Sequence, residues 1–378
     1  MNHPDTRRVK IADYQTCCGC SACEQICPRG CITMQENSEG FLYPNVDETR
    51  CIDCGLCEKA CPDRFPYAKR KPLKTLAAIN RQEMTRLKSS SGGIFSLLAE
   101  NCIAHGGTVF GARFTPSWCV EHKGTNVTED IPHYRGSKYV QSKIGHCFTE
   151  VKELLEKNKR VMFVGTPCQV AGLHHYLGKS FEDLLTVDFI CHGVSSPAVW
   201  KWYINDVAKS LVGKSWLNRI IYAKDPLRAV RNVEFRNKEY GWKQFHTVID
   251  VGYIQKNRFS VIHYENPYMR SFLTNLNLRL SCYQCSSKAG RSHSDITLAD
   301  FWNVHKVVDG YDDDKGTSLI LINTEKGAKA FSEIGCKNQE VDFEDAIQYN
   351  QAWHTPFAEP ERRKEFFQKY TTHFKDFI

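Results

Sequence analysis

The residues of this chain best suited to chemistry are its thiols. Cysteine occurs 18 times in 378 residues, and ten of these lie between Cys17 and Cys61. Eight of the ten repeat one pattern: Cys17-x-x-Cys20-x-x-Cys23-x-x-x-Cys27-Pro28, then Cys51-x-x-Cys54-x-x-Cys57-x-x-x-Cys61-Pro62. Three thiols at intervals of three wrap a tight loop, so their sulfurs converge on one centre. The fourth lies four residues on, and the Pro after it fixes φ and withholds an amide donor, which favours a change of path. The N-terminus has no apolar leader segment, so a cytoplasmic location is expected. Cytoplasmic chains rarely use thiols for disulfides, so the even count does not imply nine bridges, and metal is the expected use.

This spacing is the bacterial ferredoxin pattern for two [4Fe–4S] clusters. In such pairs the fourth cysteine crosses over, which assigns Cys17, Cys20, Cys23 and Cys61 to one cluster and Cys51, Cys54, Cys57 and Cys27 to the other. Zinc is the alternative, but a zinc ribbon needs only two CxxC pairs, with no third cysteine and no Pro. Cys18 and Cys31 are surplus and read as small packing residues. Ile32–Met34 and Phe41–Tyr43 flank a turn and suggest a hairpin. The chemical use of such a module is one-electron transfer. The CxxxCxxC spacing of radical S-adenosylmethionine chemistry is absent.

The elements that must position any further chemistry begin after a basic, Pro-containing linker, Phe65–Lys74. Strands are expected at Ala77–Ile79, Thr108–Phe114, Val161–Val164 and Thr186–Ile190, with helices at Ile94–Ala104 and Phe148–Lys157 and another between the last two strands. The last two strands form a β-α-β unit, so they should be parallel. Cys168 and Cys191 then sit just past the carboxyl ends of neighbouring strands, the edge where open α/β sheets bind ligands. A helix is expected from Ser195-Ser196-Pro197 to about Leu211. Short strands at Arg219–Tyr222, Val233–Arg236, Phe245–Val251 and Arg258–Tyr264 suggest an antiparallel meander. Further elements are a helix at Pro267–Leu276, strands at Asp295–Ala299 and Ser318–Ile322, and two charged terminal helices.

Cys282-x-x-Cys285 is a chelating pair that needs two more thiolates, and Cys168 and Cys191 are placed to supply them. These four suit a third [4Fe–4S] cluster, with zinc and unliganded thiols as the alternatives. Cys102, Cys119, Cys147 and Cys336 have no partner spacing and read as structural. Ser90-Ser91-Gly92-Gly93 opens a helix and offers free amides to a phosphate, though a plain helix start explains it equally well. Gly136-Ser137-Lys138-Tyr139 joins a turn, a cation and an aromatic ring.

These stretches, with Gly165-Thr166-Pro167-Cys168-Gln169, Cys191-His192-Gly193-Val194-Ser195-Ser196-Pro197, Phe235-Arg236-Asn237-Lys238, Gly241-Trp242 and Ala299-Asp300-Phe301-Trp302, resemble the coenzyme F-420 hydrogenase/dehydrogenase beta-subunit family. The likeness runs from about residue 75 to 305. It implies a flavin, usually FAD with FMN possible, beside a cluster in the large domain, with electrons passing between the clusters and the flavin. It also implies hydride exchange with a small substrate or coenzyme, a deazaflavin in some members. On that basis Ser90, Ser91, Gly92, Gly93, Gly136, Ser137, Lys138 and Tyr139 are the flavin candidates, and His192 is the candidate proton donor, a satisfied structural histidine being its alternative. Arg270, Lys288 and Arg291 are candidates for an anionic substrate, or plain surface charge.

The fold class expected is α+β or mixed α/β. A small bacterial-type ferredoxin domain with its linker (residues 1–72) precedes a larger mixed-sheet flavin and iron–sulfur domain (residues 73–378). With 42% hydrophobic and 25% charged residues the chain is an ordinary globular one. Its apolar runs are far too short to span a membrane. Net charge is +7, with only short basic runs, which disfavours a nucleic-acid binder. Two functions compete: an oxygen-sensitive iron–sulfur flavin oxidoreductase, and an electron-transfer subunit docked to a redox partner with no substrate of its own.

Overall fold

The computed structural model describes residues 11–252 and 255–378. In the N-terminal part, β1 (Ile32–Glu36) pairs antiparallel with β2 (Leu42–Val46), Ile32 facing Val46. Two one-turn helices, Ala22–Ile26 and Leu56–Lys59, occupy equivalent places in the two cysteine runs. Each follows a left-handed residue, Ser21 at φ 61° and Gly55 at φ 71°, which turns the thiol-bearing loop back on itself.

The large sheet contains β3 (Lys74–Asn80), β4 (Thr108–Phe114), β5 (Val120–Thr125), β6 (Val161–Val164), β7 (Leu184–Phe189), and three later strands. A separate meander holds β8 (Val230–Asn237), β9 (His246–Val251) and β10 (Asn257–Ile262). The later strands of the large sheet are β11 (Ile296–Asp300), β12 (Ser318–Ile322) and β13 (Cys336–Glu340). Its order is β13-β3-β12-β11-β7-β6-β4-β5. The centre, β11-β7-β6-β4, is parallel, and every other pairing is antiparallel. The carboxyl ends of four central strands therefore meet on one edge. β6 is almost wholly apolar, with Val161, Met162 and Phe163 fully buried, as expected of a strand covered on both faces.

The helix Pro167–Leu177 starts at a capping box. Pro167 stands in its first turn, and the Gln169 side chain accepts from the Thr166 amide at 2.9 Å. This cap holds Cys168 at the sheet edge. The 17-residue helix Pro197–Gly213 packs against the meander through a core that includes Trp200, Phe235 and Tyr268.

Two features differ from the sequence reading. Trp216–Tyr222 is a helix, not a strand at Arg219–Tyr222, because the Ser215 hydroxyl caps it by accepting from the Asn218 amide. The edge strands β5 and β13 carry polar residues and gave no strand pattern. Across the boundary expected near residue 72, Cys20, Ala22 and Ala60 share one buried cluster with Phe148, Val170 and Leu173. Gly172 is one point of close approach, for a Cβ there would lie 2.8 Å from Cys20 Sγ.

Candidate redox centres and ligand cavity

The two cysteine runs fold into two thiol sets. Cys23 is pushed up in pKa by burial and by the facing Cys17 and Cys61, and Cys20 lies against Cys61 and Cys23. The sulfurs of Cys17, Cys20, Cys23 and Cys61 thus act on one another, with Cys57 also facing Cys23. The second set, Cys27, Cys51, Cys54 and Cys57, lines a separate hollow together with Cys31. Burial raises Cys57 to about 11. Cys31 is buried among Ile11, Ile32 and Cys57, in keeping with a packing role, yet its sulfur stands 3.3 Å from Cys27 Sγ.

A third set lies where the N-terminal part meets the sheet edge. Cys168, Cys191, Cys282 and Cys285 line one hollow of about 40 Å³. The four come from after β6, after β7 and from the loop Leu280–Gln284 and its end, and they act on one another electrostatically. The Val194 amide donates to Cys282 Sγ at 3.4 Å. Among the described residues no three His, Cys, Asp or Glu side chains are gathered as ligands of a single metal ion. The hollow is roomier than the ~10–15 Å³ one water centre occupies, so the donor set and space suit a polynuclear cluster. Cys18 also lines this hollow, and its thiol interacts electrostatically with Cys20 and Cys168. It does more than pack, as its place beside the motif suggested, for it stands between the first and third thiol sets.

Two buried cations face these sulfurs, and among the described residues neither is ion-paired. Arg279 is fully buried. Its Nε donates to Cys17 O at 2.6 Å, Nη1 to Gln141 Oε1 at 3.0 Å, and Nη2 to Leu42 O at 2.8 Å and Cys17 Sγ at 3.6 Å. The Tyr43 ring covers it at 4.1 Å. Lys288 Nζ donates to Cys191 O and Ala352 O, both at 2.7 Å. Buried cations with only neutral oxygen acceptors are costly unless an anion lies near, and thiolates bound to iron would be that anion.

Beside this hollow lies a cavity of about 630 Å³. The two loops singled out by sequence meet on its wall: the Ser137 amide and hydroxyl donate to Ser90 Oγ at 2.6 and 2.8 Å. Below them, Lys238 Nζ clamps Arg86 O, Ser91 O and Lys315 O, while Trp242 Nε1 holds Ser90 O at 3.0 Å. Gly92 must be glycine, because a Cβ would stand 2.4 Å from Ala78 O. The Phe-Arg-Asn-Lys and Gly-Trp stretches thus fix the serine loop from beneath. Trp242 in turn stacks on Trp302 at 4.6 Å.

Lys138 lines the cavity and donates only to the carbonyls of Tyr134, Arg135 and Gly136. Burial pulls its pKa down to about 7. Arg236 Nη1 reaches Asp300 at 2.9 Å and the Tyr139 hydroxyl at 3.1 Å, but among the described residues its Nε and Nη2 have no hydrogen-bond partner. His122 Nδ1 and the Tyr134 hydroxyl are also buried without partners on the same wall. Orphaned buried polar atoms carry a desolvation penalty, and several converging on one cavity fit a polar, partly anionic ligand.

Cys191, His192, Gly193 and Val194 line both the hollow and the cavity. His192 Nε2 meets Asn275 Oδ1 at 2.7 Å, and the ring lies between Phe272 and Phe357. Burial lowers its pKa. The cations expected for a substrate fall elsewhere. Arg270 is exposed and lines no part of the cavity, Lys288 serves the thiol hollow, and Arg291 Nη1 donates to Lys288 O at 3.4 Å. Cys102, Cys147 and Cys336 are buried, whereas Cys119 is exposed. Sequence reasoning missed Arg236, Lys238, Arg279 and Cys18; the first two stood inside quoted motifs and were detectable as cations within apolar strand ends.

Tandem thiol sets of this spacing, joined to a mixed sheet with a ligand edge, define an iron–sulfur protein of the electron-transfer class. Residues 16–64 match the 4Fe-4S dicluster domain, and residues 158–348 match the family described as the C terminus of the coenzyme F420 hydrogenase/dehydrogenase beta subunit. The chain belongs to this coenzyme F420 hydrogenase/dehydrogenase beta-subunit family of oxidoreductases. No curated protein matches it. Among solved structures it is similar to a chain of the F420-reducing [NiFe] hydrogenase complex from Methanosarcina barkeri, at 16% identity and a TM-score of 0.46, covering 82% of this chain and 94% of that one. Among the described residues no helix is long and apolar enough to cross a membrane.

Proposed function

We propose that the chain is an iron–sulfur flavin oxidoreductase acting on a small molecule. Cys168, Cys191, Cys282 and Cys285 hold a third [4Fe–4S] cluster, and the large cavity holds a flavin, FAD or FMN. The observation that carries this is the shared wall Cys191–Val194, which makes the thiol hollow and the cavity neighbours. A bound flavin supplies the exchange between one-electron carriers and two-electron hydride chemistry. The residues of the chain do the rest. Ser90, Ser91 and Gly93 form the serine-loop wall, with Gly136, Ser137 and Tyr139 facing it and Gly92 packed behind the loop against the sheet. Lys138 offers the charge for a phosphate. Arg236 presents two unpartnered nitrogens, Nε and Nη2, to a polar ring or anion. Phe272, Phe357 and Trp302 exclude water. His192, fixed by Asn275, holds a proton at the wall between hollow and cavity.

The test is anaerobic purification of the full chain, followed by cofactor release and chromatography of the supernatant. Stoichiometric flavin supports the proposal, and reduction of that flavin by a screened small molecule would identify the substrate. A folded chain loaded with clusters but free of flavin would refute it. The chain would then be an electron-transfer subunit whose redox partner carries the chemistry.

A further inference from the structure

We infer that the protein docks on an anionic membrane surface through the tip formed by the helix Trp216–Tyr222. Three large apolar side chains stand out from this one short helix: Trp216 is 66% exposed, Ile220 70% and Ile221 53%. Trp216 and Ile220 are four residues apart, so they share a face. The helix is not a frayed segment. Ser215 caps it, and Asn218 is buried beneath it with Nδ2 donating to Gln255 O at 2.9 Å. The inner face is anchored by polar bonds, and the apolar face is held outward.

Around that face lie Lys209, Lys214, Arg219, Lys224, Arg228 and Lys256, all exposed, and the ion pairs among the described residues engage none of them. Two exposed carboxylates, Asp206 and Asp225, oppose these six cations. An exposed Trp with aliphatic neighbours inside a basic rim is the pattern of an interfacial membrane contact. The apolar groups enter the headgroup boundary, and the cations meet anionic lipid.

Other occupants fit less well. A two-fold contact with a second copy would set one basic rim against another. An electron-carrying partner would be misplaced, because the iron–sulfur part touches the opposite end of the helix Pro197–Gly213. A Cβ on Gly40 would lie 2.5 Å from the Ala198 amide nitrogen, whereas the tip follows Gly213. Those 17 residues span about 25 Å. The ribbon β9–β10 also starts at the tip and runs back to Phe245 and His263 on the cavity wall. Docking would hold that wall about 20 Å above the lipid.

The test is co-sedimentation of the anaerobically purified full chain with vesicles of phosphatidylcholine alone, and of phosphatidylcholine with phosphatidylglycerol, at low and high salt. Binding is expected to the anionic vesicles only and to weaken with salt. Ile220→Glu should reduce it by about tenfold or more. The double variant Lys214→Glu with Arg219→Glu should reduce it comparably, with cluster absorbance unchanged in both. All three positions are exposed, so folding should be undisturbed. Failure of the wild-type chain to sediment with either vesicle at low salt would overturn the inference. So would equal binding by the variants, or a dimer that Ile220→Glu dissociates in the absence of any vesicle binding.

Discussion

Arg279 offers the most direct test of how this fold governs electrons. Its Nη2 lies 3.6 Å from Cys17 Sγ, and it is fully buried. A nearby positive charge favours the reduced, more negative state of a cluster, so removing it should lower the midpoint potential. At an effective dielectric of ~20, a unit charge at that distance from a thiolate is worth about 4.6 kcal/mol. An added electron is shared over four ligand sulfurs, so roughly a quarter of this acts at Cys17, about 1.2 kcal/mol. For a one-electron couple that is ~50 mV. Arg279→Met should therefore drop the potential of the cluster on Cys17 by about 50 mV, and further if the N–H to sulfur bond itself contributes. Arg279→Lys, which keeps the charge, should shift it by less than half as much. The assay is a redox titration of the full chain followed by electron paramagnetic resonance, with iron content measured alongside. An unchanged or higher potential in Arg279→Met at full iron content would refute the reasoning.

Three other outcomes follow from the same geometry. Lys138→Met should weaken flavin binding by about 10- to 100-fold, the worth of one charge-assisted hydrogen bond, measured by fluorescence titration of the apo chain. Burial lowers Lys138 to about 7, so above that pH binding must first restore its proton, and wild-type affinity should fall up to tenfold per pH unit between 7 and 9. The Lys138→Met profile should be flat, and a parallel decline in both would remove Lys138 from the phosphate site. Cys191→Ser should cost the chain about four iron atoms of its total while the ferredoxin-type signals persist, and full iron content would sink the four-thiol assignment. Gly92→Ala should destabilise by about 1–3 kcal/mol through collision with Ala78 O, with chemical denaturation reading the loss.

The parts of the fold written in local pattern were legible in sequence. The apolar run Val161–Val164 and the box Thr166–Gln169 define a buried strand and a capped helix without reference to anything distant. The two cysteine runs were equally local, while their crossed grouping came from the ferredoxin pattern rather than from local geometry. Elements decided by context were not legible. Ile220-Ile221-Tyr222 has strand propensity, yet the Ser215 cap and the anchored Asn218 make it helical. β13 reads as polar loop because as an edge strand it buries only Cys336. The four thiols of the third hollow could be grouped because the β-α-β rule places Cys168 and Cys191 on one edge. Cys18 could not, since its partner Cys168 lies 150 residues away. Arg279 was invisible for the same reason, its bonds to Cys17 and Leu42 crossing more than 230 positions.

The bare backbone of Gly172 against Cys20 has a consequence for how the protein matures. With 7% of Cys20 exposed and a helix pressed on its sulfur, the closed form leaves that thiol far less open to incoming iron than the separated loops would. Burial of this kind favours loading first and closure second. A chain that closes early would be a folded but iron-poor by-product, and the yield of active protein would be set by a race between iron delivery and the growth of the helix Pro167–Leu177 over the N-terminal loops.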